Sequence, residues 1–85
     1  MNLERYSLIE IREKLHIHNR ALKFTEGRIE EMGKLIQQIT HEKGDALAEP
    51  YRGMLAVLIV SFEEIEEKVQ ELTTKEIQLK NTRNI

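Results

Sequence analysis

No cysteine occurs in the 85 residues, which excludes a disulfide framework and any thiolate metal site. Tryptophan is absent too, and two tyrosines and two phenylalanines are the whole aromatic complement. One proline and four glycines are too few for the many turns of a sandwich or barrel. Neither sign of charge dominates: 13 Lys and Arg stand against 15 Asp and Glu, a formal charge of −2. That balance argues against a strong field for nucleic acid or a membrane surface. The longest apolar run, Met54 to Val60, falls far short of the roughly 20 residues that span a bilayer. The opening MNLERYSLIE lacks the basic segment and apolar stretch of a signal peptide, so a cytoplasmic protein without a membrane partner is expected.

What is present is a helical period. Leu8, Ile11, Leu15, His18, Leu22, Thr25, Ile29, Met32, Ile36 and Ile39 follow one another at alternating steps of three and four, the heptad spacing that lines up side chains on one seam. A second stripe repeats the pattern through Tyr51, Leu55, Leu58, Phe62, Ile65, Val69, Leu72, Glu76 and Leu79. The chain therefore reads as one all-α domain over residues 1–85. It comprises a first helix at about 3–42, a turn at about 43–49, a second helix at about 50–80 and a frayed tail at 81–85.

The boundaries have local causes. Ser7-Leu8-Ile9-Glu10 has the form of a capping box, with Tyr6 and Ile11 as its hydrophobic staple. Gly44-Asp45 marks a stop. Pro50 lacks an amide proton and suits the first turn of the second helix, with Asp45 as an alternative cap one turn earlier. Gly27 falls on the outer face, while Gly33 borders the seam, where a glycine allows close backbone approach. Thr73-Thr74 is a weak spot for a helix.

Folding the chain back near residue 47 predicts an antiparallel, coiled-coil-like hairpin. Its paired residue numbers sum to about 94, with arms of about 45–50 Å. Ile39 meets Leu55, Met32 meets Phe62, and His18 lands opposite Glu76 as a buried polar layer that fixes register. Protonation of His18 would strengthen that pairing and make it pH-responsive.

One stripe per helix does not use up the apolar side chains. Ile9, Ile17 and Phe24 on the first helix, and Gly53, Ala56, Val57 and Val60 on the second, lie away from the seam. A chain this small gains from a partner. Residues 1–28 carry six Lys or Arg and four Asp or Glu, and residues 72–85 carry three and one; residues 29–71 carry four and ten. Positive termini and a negative loop end favour two hairpins packed head to tail, a homodimer forming a four-helix bundle. In architecture such an assembly resembles Rop, the small plasmid-encoded RNA-binding bundle.

Chemistry-bearing patterns are few. Glu13 and His16 have the Glu-x-x-His spacing of di-iron carboxylate bundles, yet the heptad frame turns both outward. Glu63, Glu64, Glu66 and Glu67 form overlapping Glu-x-x-Glu pairs, as in magnesium-dependent helical pyrophosphatases, without a matching second cluster. Both read as solvated faces, and no metal or other cofactor is expected. No nucleophile–base pair or glycine-rich phosphate loop can be assembled, so the chain is not expected to be an enzyme. The expected role is a protein-binding adaptor or regulator. The alternative is a Rop-like nucleic-acid contact through Arg12, Lys14, Arg20 and Lys23, in the basic first half of the first helix that also holds Arg5; Lys75, Lys80 and Arg83 lie nearby.

Overall fold

The computed structural model describes the backbone of residues 3–83 and the side chains of residues 7–81. Two helices fill it, α1 (Leu3–Lys43) and α2 (Asp45–Arg83). They lie side by side in a rod whose Cα extents are 63 × 15 × 14 Å. Its radius of gyration of 18.9 Å exceeds the roughly 12 Å of a compact chain of this length. Little interior exists beyond the contact line of the two helices.

The heptad stripes are that contact line. Every one of the ten α1 seam residues and nine α2 seam residues is buried or half-buried. Leu8, Ile36 and Leu72 are the most covered of them, together with Thr25. Two polar seam residues of α1 are satisfied within their own helix. The Thr25 hydroxyl donates to the Ala21 carbonyl at 2.8 Å, and His18 Nδ1 donates to the Lys14 carbonyl at 2.7 Å. Back-bonding of this kind removes the need for a partner across the seam. Thr73 and Thr74 use it as well, donating to Val69 and Gln70, and α2 passes through them unbroken.

The break between the helices is much shorter than a turn over 43–49. Gly44 alone interrupts the helix pattern. It adopts φ +91°, and its amide donates to the Thr40 carbonyl at 3.1 Å, the left-handed C-terminal cap that glycine makes at no steric cost. Basic His41 and Lys43 close α1, and acidic Asp45 opens α2, each complementing its helix dipole. Pro50 therefore falls inside α2 rather than in its first turn. Its missing amide would otherwise donate to the Ala46 carbonyl, so one rung of the backbone ladder is lost. At the other end α1 extends through Leu3, so Ser7 is a helical residue and not a cap. The Tyr6 side chain lies outside the described residues. α2 reaches Arg83, three residues past the expected end, and residues 84 and 85 of the supposed tail also lie outside them.

A one-residue turn changes the register. Residues equidistant from Gly44 lie at one level at about 1.5 Å per residue, so facing numbers sum to about 88 rather than about 94. The ion pair between Arg12 and Glu76 at 3.1 Å agrees with that level. The shift is one heptad. Met32 faces the level of Leu55 rather than Phe62, and Thr25 faces that of Phe62 rather than Val69. The expected His18–Glu76 layer is thereby undone, because Glu76 pairs with Arg12. Ala48, assigned to the turn by its sequence position, continues the α2 seam by one step and is 0% exposed.

Candidate interaction surface

In an antiparallel pair with seam positions a and d, reversing one helix brings the two e positions together on one flank and the two g positions on the other. On α1 the e flank is Arg12, Asn19, Glu26, Gly33 and Thr40; on α2 it includes Asp45, Arg52, Ile59 and Glu66. Two polar links between the helices lie here. Arg12 binds Glu76, and Arg52 Nη2 reaches the Thr40 hydroxyl at 3.5 Å. Arg52 also holds Asp45 at 3.0 Å and Glu49 at 3.1 Å. The hydrogen bonds it donates to Asp45 and then to Glu49 raise its guanidinium above the ordinary arginine value. Gly33 needs no close approach: a Cβ there would meet nothing within 4 Å.

The opposite flank differs in kind. Its g positions around the middle and turn end are Ala21, Arg28, Leu35 and Glu42 on α1, and Leu47, Met54 and Ser61 on α2. The outward c positions beside them include Ile17, Phe24 and Val57. Six large apolar side chains thus share one side of the rod. Phe24 is 67% exposed, Val57 66%, Ile17 62%, Leu47 57%, Met54 55% and Leu35 38%.

All seven residues expected at a self-association interface are exposed: Ile9, Ile17, Phe24, Gly53, Ala56, Val57 and Val60. They do not form one patch. Ile9 and Ala56 occupy b positions toward the e flank, Gly53 and Val60 point directly outward at f, and Ile17, Phe24 and Val57 face the g side. Two shallow open grooves follow from this spread, one bordered by Ile9, Arg12, Glu13, His16 and Ile17, the other by Ala56, Val57, Val60, Ser61 and Glu64. Leu35, Leu47 and Met54 are not among those seven, although the heptad letters of the sequence place them together at g.

The charged candidates separate into two groups. Arg12 is tied to Glu76, and Lys14 to Glu10 at 3.5 Å. Arg20 and Lys23 are exposed. Glu13 and His16 are both exposed on the groove of α1, and among the described residues no group of three or more His, Cys, Asp or Glu is placed to hold a metal ion. Glu63, Glu64, Glu66 and Glu67 are exposed as well. Among the described residues no helix is long and apolar enough to cross a membrane.

The register also weakens the expected axial polarity. A cut across the middle of the rod puts residues 1–22 and 65–85 on one side, with eight Lys or Arg against seven Asp or Glu, and residues 23–64 on the other, with five against eight. The ends still differ in sign, by less than the division at residues 28 and 71 suggested. No family model, curated protein or solved structure matches this chain.

Proposed function

We propose that the chain is a non-enzymatic interaction module: a helical hairpin that pairs with a second copy into a four-helix bundle and, in that form, binds another protein as an adaptor or regulator. The exposed apolar surface beside the seam supports this reading above all. Three side chains near two-thirds exposed, Ile17, Phe24 and Val57, share a face with Leu35, Leu47 and Met54, a concentration that solvated monomers seldom carry. A thin rod also leaves its seam half-open, so a second layer of helices would cover what the first cannot.

Sedimentation equilibrium at micromolar concentration tests the association. A folded 10.0 kDa species at all concentrations would remove the proposal. Val57→Glu should dissociate the assembly while each hairpin keeps its helicity. Recovery of one specific protein by the dimer, lost in that variant, would test the adaptor role.

Arg20 and Lys23 support a second reading. Both are exposed cations for which no ion pair is found among the described residues, and they would contact phosphates in the manner of a Rop-like bundle. A gel shift that weakens steeply with salt and fails in the Arg20→Ala, Lys23→Ala double variant would favour nucleic acid over a protein partner.

A further inference from the structure

We infer that the second copy sits on the g flank, antiparallel to the first, with α1 of one hairpin against α1 of the other. This rests on the association proposed above and specifies its face and direction. The arginine links described above lie on the e flank, whereas the g side offers the exposed apolar side chains Ile17, Phe24, Leu35, Leu47, Met54 and Val57.

Charge selects the direction. Along this side of α1 the order is Phe24, Arg28, Glu31, Leu35. Reversed on itself about a two-fold axis between residues 29 and 30, the segment is its own complement. Phe24 meets Leu35 of the second copy, and Arg28 meets Glu31 of the second copy, each twice. Within one chain Arg28 stacks on Phe24 at 5.9 Å, and Glu31 is exposed; both are positioned for the pairing. The parallel arrangement instead sets α1 against α2 of the second copy, placing Lys14 by Lys75 and Phe24 by Glu64, while Ile17 meets a glutamate in either arrangement, Glu71 in this one and Glu42 in the other. Area agrees. The axis lies about 22 Å from the turn, so the rods overlap for about 44 Å at 1.5 Å per residue. A contact that long and two helices wide approaches the roughly 800 Å² per partner of a stable interface.

The chain lacks cysteine, so engineered thiols report cleanly. A mixture of Phe24→Cys and Leu35→Cys chains should oxidise to a covalent dimer, while either variant alone should not, because its two thiols lie about 16 Å apart along the axis. Arg28→Glu should weaken association at least tenfold, and Arg28→Glu with Glu31→Arg should restore it. Cross-links between Leu35→Cys and Met54→Cys chains, or Leu35→Cys with itself, would overturn the antiparallel arrangement. A dimer by sedimentation with no cross-link on this face would overturn the choice of face alone. A monomer would overturn the underlying association as well.

Discussion

The two flanks of one seam end the hydrophobic contact in opposite ways. On the e side, Arg12 and Arg52 reach across to Glu76 and Thr40 and finish the core with charge. On the g side, Leu35 and Met54 stand at one level, and Phe24, Val57, Ile17 and Leu47 extend the same surface. Surface ion pairs add little stability, about 0–1 kcal/mol each, so their value on the e side lies in solvating an edge. The g side carries charges as well, Arg28 and Glu42 near the middle and turn and Lys14, Lys68 and Lys75 toward the termini, but Leu35, Leu47 and Met54 stand exposed among them. On the association proposed above, this asymmetry marks which side is finished and which takes the second copy.

Both flanks presuppose the seam. Leu72 is 4% exposed, and Leu72→Ala should cost about 3 kcal/mol, through lost transfer energy plus a residual cavity. Urea unfolding followed by circular dichroism would measure it. A cost below about 1 kcal/mol would mean that the seam is slack, and the contrast between its flanks would then say little about burial.

The comparison breaks most directly if the g flank is rebuilt in the image of the e flank. Leu35→Glu with Met54→Lys puts an ion pair where two apolar side chains face one another. The expected result is at least a hundredfold loss of self-association, about 2.7 kcal/mol. Helicity of the separated hairpin should be retained. Sedimentation velocity and circular dichroism at matched concentrations would check both. An unchanged association constant would move the interface elsewhere, to the Ala56 and Val60 side of α2.

The face of every seam residue was legible in the sequence, and the reason is periodicity. Each step of three or four residues preserves the stripe, so all nineteen positions are at least half-buried as the pattern requires. Register was not legible, because a slip of seven residues leaves a heptad pattern unchanged. Turn length decides it, and the length depended on whether Asp45 or Pro50 opened the second helix. Reading Pro50 as a first-turn residue lengthened the turn, consigned Ala48 to it, and moved Glu76 opposite His18. The flanks were hidden for a related reason. Away from the seam, exposed apolar residues look alike until the neighbouring helix is placed, so the sequence alone does not separate Gly53 and Val60 from Val57 or single out Leu35, Leu47 and Met54.

Gly44 sets the register on which both flanks depend. A Cβ there has open space, so substitution acts only through the backbone at φ +91°. Gly44→Ala should cost about 1–2 kcal/mol, read as a lower thermal midpoint with the seam unchanged. If Gly44→Ala instead altered which residues face one another, as read by cross-linking cysteines introduced at Arg12 and Glu76, the turn would be steering the register as well as closing it.

The smallest expected effect belongs to Arg52, and it sharpens what the e flank is for. Arg52 bridges Asp45 and Glu49 of its own helix and the Thr40 hydroxyl of the other, at a surface where salt screens charges within about 10 Å at 0.1 M. Its guanidinium is held above an already high ordinary value, so it stays protonated wherever the protein can be studied, and ionic strength is the useful variable. Arg52→Ala should lower the unfolding midpoint modestly in dilute buffer, and by less as salt approaches about 1 M. A sealing role predicts a second result: apolar dye binding should rise on the e flank at all salt concentrations, because the arginine stem covers the edge of the seam as well as carrying charge. If the midpoint falls further than in Gly44→Ala, the arginine is holding the two helices together rather than closing their edge. The contrast between the flanks would then be one of strength and not of exposure.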